Sequence, residues 1–153
     1  MDLQKTLSDM GFALPAAPKP VAAYVPAARS GDLLWVSGQL PLADGRLVST
    51  GRVPSATSME MAQAAARQCV LNGLAVVGDQ LDGDWDRLVR IVRLVVFVAS
   101  DAAFAEQHLV ANGASELLGE ALGDRGRHVR AAVGVTALPL NATVELELTA
   151  QVQ

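Results

Sequence analysis

The stretch LVRIVRLVVFVAS, Leu88 to Ser100, decides how the rest of the chain must fold. Its β-branched and aromatic residues read as a strand. Residues two apart in a strand share a face, and the second half of this one is apolar on both faces. A strand of that kind normally runs inside a sheet and is covered twice. What covers each side has to come from the sequence around it.

On the N-terminal side, Thr57-Ser58-Met59-Glu60 matches a capping box, with Thr57 offering an oxygen to a backbone amide and Glu60 three residues on. A helix is predicted from there to about Leu81. Met61, Ala62, Ala65, Ala66, Cys69, Gly73 and Val76 form its inner stripe. On the C-terminal side, Asp101 is placed to cap a second helix from about Ala103 to Leu122, ending near Gly123. RHVRAAVGV, Arg127 to Val135, reads as the next strand. VELELTAQV, Val144 to Val152, alternates cleanly as the last.

Further upstream, residues 2–10 read as a short helix stopped by Gly11. ALPAAPKP reads as an extended connector, and VAAYVPAARSGDLLWVSGQLPL as two strands around Ser30-Gly31-Asp32. Asp44-Gly45 makes a turn, and LVSTGRV reads as a short third strand. The order is β-β-β-α-β-α-β-β, an α+β chain. Two helices cover one face of one sheet, so the other face is expected to meet another subunit.

The composition agrees. Of 153 residues, 51% are hydrophobic and 18% charged, less polar surface than a lone globule usually carries. One domain is expected, with a core large enough to need no metal or disulfide. Cys69 is the only cysteine, the first residues show no signal peptide, and nothing is apolar enough to span a bilayer, which reads as a cytoplasmic chain. A net charge of −4 and six scattered aromatics make nucleic acid an unlikely partner.

In Arg127–Val135, His128, Arg130, Ala132 and Gly134 share a face. Val129, Ala131, Val133 and Val135 are the expected helix-facing side, so Arg130 is expected to point away from the helices. Small neighbours leave its guanidinium room for a small carboxylate, which it can hold as a planar fork. If the last two strands pair as a hairpin, Arg130 falls close to opposite Glu145. That pair is open to two readings, a cross-strand ion pair or an acid anchor beside a group that handles water and protons. Other candidates fail. Asp82, Asp84 and Asp86 lack the glycine and distal glutamate of a calcium loop, and His108, His128 and Cys69 lack metal-ligand spacing. Cys69 reads as core and His108 as helix surface.

SGQLP, together with the R-x-x-V-x-V-x-x-LP-x-x-x-x-VE-x-E pattern of RHVRAAVGVTALPLNATVELELTA, resembles the RidA/YjgF family, the reactive intermediate deaminases, also labelled endoribonuclease L-PSP. The strand VRLVVFVAS matches as well, so the likeness runs from about Tyr24 to the end, and residues 1–17 look like an N-terminal helical extension of the single domain 1–153. The resemblance implies a chorismate-mutase-like fold and a homotrimer whose sheets form a central barrel, with ligand sites between subunits. It implies hydrolysis of 2-imino and enamino acids to 2-oxo acids and ammonia, with no cofactor and no metal. Carried over, Arg130 looks like the arginine that grips the substrate carboxylate, and Glu145 like the carboxylate that positions water. Ser37 and Gly38 look like the loop whose backbone contacts substrate, Tyr24 like the tyrosine that closes the cleft, and Asn112 like the asparagine of the second helix. Two departures stand out. Ala132 replaces a frequent cysteine, which excludes thiol chemistry there. His128 stands where the best-known members have proline, either lining the pocket or bonded to solvent at a strand start. These departures, the extension and a longer second helix point to a distinct subgroup. The alternatives are a carboxylate-binding trimer without catalysis and, last, a ribonuclease.

Overall fold

The computed structural model describes residues 1–17 and 23–153. Part of the connector expected over 13–20, and the start of the strand-forming stretch at Val21, lie outside them. The elements run α1 (Leu3–Asp9), β1 (Ala27–Ser30), β2 (Leu33–Gln39), β3 (Leu42–Ala43), β4 (Arg46–Leu47), α2 (Met59–Gln80), β5 (Leu88–Ala99), α3 (Gln107–Leu122), β6 (Val129–Val135) and β7 (Val144–Val152). The fold is α+β, with one mixed five-stranded sheet in the order β1-β2-β7-β5-β6. Strands β3 and β4 form a separate small ribbon around Asp44-Gly45, both at positive φ, as a tight two-residue turn requires.

Strand β5 is interior, as its two-sided apolarity predicts. It pairs parallel with β6 and antiparallel with β7. The β5–α3–β6 unit explains this, because a crossover through a helix returns the chain as a parallel strand beside the first. That takes one side of β5, and β7 takes the other. The hairpin expected between the last two strands therefore does not form. Pairing in β5 is irregular between Leu88 and Arg90 and between Ile91 and Arg93, so Leu88, Ile91 and Leu94, three apart, are all fully buried.

The helices lie on one face. Small residues let them approach closely: a Cβ on Gly73 of α2 would sit 2.6 Å from Leu148 Cδ2, and one on Gly113 of α3 would collide with the Gln63 carbonyl of α2. Between helices and sheet, Leu94, Val96, Val98, Leu146, Leu148 and Ala150 are buried with Ala62, Ala65, Ala66, Cys69 and Val70. Each fully buried valine or leucine contributes about 1.5–3 kcal/mol. Leu3 and Leu7 of α1 join the same core at 0% exposure, so this short helix is packed rather than appended. On the helix-free face Trp35, Val129 and Val133 remain exposed. Among the described residues no helix is long and apolar enough to cross a membrane.

Four local expectations are corrected. The N-cap of α2 is Ser58, whose oxygen accepts from Met61 N, while Thr57 bonds instead to Ser49 Oγ at 2.8 Å. Met61 is 44% exposed and leaves the inner stripe. Helix α3 starts at Gln107 because Asp101 accepts from Ser55 Oγ at 3.0 Å and does not cap it. Beyond Leu47, which closes β4, LVSTGRV is a strap, not a strand: among the described residues its β-bridges are the isolated Thr50–Ala142 and Val53–Ser100. It is pinned by Ser49 Oγ to Thr143 Oγ1 at 2.8 Å.

Candidate functional site

Arg130 is the second residue of β6, the edge strand of the sheet. Its register partner is Leu94, which in turn pairs with Leu148, and both are buried under the helices. Paired residues share a face, so Arg130 points toward α3. This reverses the sequence expectation. The valines that looked helix-facing, Val129 and Val133, are 65% and 42% exposed on the other side. Small residues face the helix because α3 comes close. A Cβ on Gly134 would lie 2.7 Å from Gln107 Nε2 and from Ser100 Oγ.

Helix α3 holds the guanidinium from one stripe at spacing i, i+4, i+7. Arg130 Nη1 donates to Asn112 Oδ1 at 3.0 Å and to Ser115 Oγ at 2.9 Å, and Nη2 donates to the His108 carbonyl at 3.2 Å. Two donors, Nε–H and one on Nη2, have no partner among the described residues. The arginine is thus oriented by the protein and keeps two N–H groups for an anion.

His128 belongs to the same cluster. Its Nδ1 lies 2.6 Å from the Gly126 carbonyl and its Nε2 2.9 Å from Ser115 Oγ. One arrangement satisfies every atom: Nδ1–H donates to Gly126, and Nε2 accepts from the Ser115 hydroxyl, which accepts from Arg130. That assignment requires a neutral imidazole. Burial pushes the His128 pKa below its ordinary value, with Arg130's charge adding to the fall against the Gly126 bond that raises it. His128 is therefore bonded to the protein and lines the recess beside Arg130.

Glu145 is elsewhere. It pairs with Phe97 on β5, on the face opposite Arg130. The cross-strand ion pair is thereby ruled out within one chain. Its carboxylate packs against Gly38, where any Cβ would collide with Oε1. The glycine of the SGQ stretch is what lets that carboxylate lie against the backbone, and a Cβ there would push the end of the Glu145 side chain aside. Partial burial, and then the neighbouring Glu147, raise the Glu145 pKa. Ser37 Oγ, next to Gly38, is buried with no hydrogen-bond partner among the described residues. Tyr24 stands 46% exposed ahead of β1. The structure thus groups Asn112, His128 and Arg130 in one cluster and Ser37, Gly38 and Glu145 in another.

Sequence reasoning missed Ser115, which links His128 to Arg130. The signal was present: His108, Asn112 and Ser115 repeat at helical spacing as polar interruptions of an apolar helix. Cys69 is fully buried. Desolvation pushes its thiol well above the ordinary value, so it has no nucleophilic character.

A family model described as Endoribonuclease L-PSP matches residues 14–152. The chain is 45% identical over 142 residues to Protein TCP17 of Trypanosoma cruzi, covering 92% of this chain and 88% of that one. Among solved structures, Atu1372 of Agrobacterium tumefaciens, a protein of unknown function, is 46% identical, with a TM-score of 0.93 over 99% of this chain and 92% of that one. A candidate endoribonuclease of Shewanella oneidensis is 29% identical, with a TM-score of 0.93 over 98% and 99%.

Proposed function

We propose, from the premise that the chain belongs to the endoribonuclease L-PSP (RidA/YjgF) family, that it hydrolyses 2-imino and enamino acids to 2-oxo acids and ammonia as a homotrimer. The observation that carries this reading is Arg130, fixed by three acceptors of α3 with two N–H donors left over. Such an arginine binds a carboxylate in one orientation and so presents the adjacent C=N carbon at one place. Glu145 lies on the opposite face of its own sheet, so this reading requires the Arg130 of one copy to meet the Glu145 of another. The exposed helix-free face and the open edge of β6 are the surfaces available for that contact.

In the reaction, Glu145 accepts a proton from water as its oxygen adds to the imine carbon, and that proton passes to the nitrogen. Glu145 then takes the carbinolamine's hydroxyl proton and passes it to the nitrogen as the C–N bond breaks, so that ammonia leaves and the oxygen becomes the carbonyl of the 2-oxo acid. A carboxylate with a raised pKa is a better proton acceptor and donor near neutrality than an ordinary one. Arg130 moves no proton.

The test is a coupled assay. An amino-acid oxidase generates imino acids in place, and their loss is followed with wild type and Arg130→Ala, each checked for oligomeric state by light scattering. Acceleration by the wild-type trimer alone is the expected result. Equal acceleration by the variant would overturn it. A second reading, a carboxylate-binding trimer without turnover, is favoured by the separation of Arg130 from Glu145 in each chain. It predicts that 2-oxo acids raise the melting temperature while imine loss stays at background. The ribonuclease label of the family finds little support in a chain of net charge −4.

A further inference from the structure

Beside Arg130 a recess of about 390 Å³ opens between the start of β6 and α3. Its walls are Ser115 and Gly119 of α3 and Gly126, Arg127, His128 and Arg130. Gly119 keeps it wide, since a Cβ there would meet nothing within 4 Å. The lining is electrically one-sided. Among the described residues the recess is lined by two arginines, a neutral imidazole and a hydroxyl, and by no carboxylate.

Arg130 uses most of its donors on the protein, but Arg127 does not. Its side chain is 81% exposed, and its one acidic neighbour is Asp124 at 3.7 Å, itself 97% exposed. An exposed pair at that distance binds weakly and is screened by salt. The backbone of Arg127 is nonetheless fixed, its carbonyl accepting from Arg90 Nη2 at 2.9 Å. The two arginines are three residues apart, roughly 10 Å along extended chain, and both residues line the same recess, where the long, exposed Arg127 side chain is free to swing toward a ligand held by Arg130. A monoanionic substrate would occupy Arg130 and leave Arg127 facing empty solvent.

Resting on the reading of Arg130 as carboxylate anchor, we propose that Arg127 is a specificity-determining residue and that the site prefers substrates with two anionic groups. Arg130 takes the carboxylate beside the C=N carbon, and Arg127 takes a second carboxylate at the end of the side chain. The preferred class is then the 2-imino dicarboxylates, the imines of acidic amino acids, with 2-oxo dicarboxylates as products. The reaction that supplies the substrate is one that removes two electrons and two protons across the Cα–N bond of an acidic amino acid, with a two-electron acceptor such as the flavin of the supplying oxidase taking the electrons. His128 fits this use, because a neutral ring with both nitrogens bonded to the protein adds no third charge beside the two arginines.

The experiment measures binding of stable products to the full-length protein by calorimetry. The probes are 2-oxoglutarate as the dicarboxylate and 2-oxobutyrate as the monocarboxylate, at one ionic strength. Wild type is expected to bind 2-oxoglutarate about tenfold more tightly, the scale of one charge-assisted hydrogen bond. Arg127→Ala should remove that preference and leave 2-oxobutyrate unchanged, while Arg127→Lys restores part of it. Arg127 is exposed, so the variant is expected to fold, and circular dichroism checks it. Equal binding of the two probes by wild type, or a preference that survives in Arg127→Ala, overturns the inference. If Arg130→Ala loses both probes while Arg127→Ala loses neither, only the dicarboxylate preference fails. If Arg130→Ala binds both normally, the anchor reading fails and this inference with it.

Discussion

Arg130 gives three of its five N–H donors to α3, whereas nothing described donates to the Glu145 carboxylate, which is raised in pKa by burial and by Glu147. The first group is oriented by its own chain before any ligand arrives. The second is confined by contact with Gly38 but not neutralised. One face of the sheet thus carries a finished half-site and the other an unfinished one. A carboxylate left without a donor costs stability, and proteins keep such groups where a partner or ligand completes them. On the proposed reading this contrast connects the fold to an assembly, because the anchor and the proton-handling group of each chain face apart.

The contrast breaks most sharply at Arg130. Arg130→Ala is expected to abolish measurable carboxylate binding and imine turnover. Arg130→Lys should not rescue it, because one ammonium cannot bond three acceptors of α3 and still offer two parallel donors. Binding titrations of both variants check this. Glu145→Gln comes next, with turnover falling by about 10²–10⁴ and carboxylate affinity nearly unchanged. The same variant sharpens the comparison through stability. A carboxylate whose folded pKa lies above 4.5 contributes stability that is present below the unfolded value and lost as pH rises through the folded one. Glu145→Gln should therefore raise Tm at neutral pH and leave it unchanged in acid. A lower Tm at neutral pH would mean that Glu145 is already paired by a donor from another copy. Ser115→Ala has a smaller effect. Arg130 loses one of its three acceptors, and carboxylate affinity should fall roughly fivefold, the value of one hydrogen bond, with no change in the response to Glu145→Gln.

Much of this was legible in the sequence, and the parts that were not share a cause. Two-sided apolarity placed β5 inside the sheet, small residues marked α2 as a close-packing helix, and the R…LP…VE pattern named the family. Local chemistry sufficed for each. The pairing of β6 was not local. Eight residues of connector between two strands suggested a hairpin, but the crossover through α3 had already taken one flank of β5 and left β7 the other. With the wrong neighbour came the wrong face, because small residues at Ala132 and Gly134 looked like open space when they are the clearance for α3. Ser115 escaped for a related reason. Its value depends on a strand 15 residues away, and only the helical spacing of His108, Asn112 and Ser115 hinted at it. The Thr57 and Asp101 caps failed on competition, since each oxygen found a tertiary partner.

The least effect, and the most diagnostic of how the anchor is built, belongs to His128. In the folded chain its pKa is lowered, first by burial and then by Arg130. The unfolded chain therefore binds a proton more readily. Between the unfolded value of 6.5 and the lowered folded one, stability is present at higher pH and lost as pH falls. The loss has a structural site: a protonated Nε2 can no longer accept from Ser115, which then has to accept from two cations at once. Thermal melts stepped downward from neutral pH should show Tm of wild type dropping by roughly 1–3 °C more than that of His128→Gln. Carboxylate affinity should loosen over the same window, because the hydroxyl that orients Arg130 is the one disturbed. Parallel pH profiles for the two proteins would separate His128 from the arginine it supports.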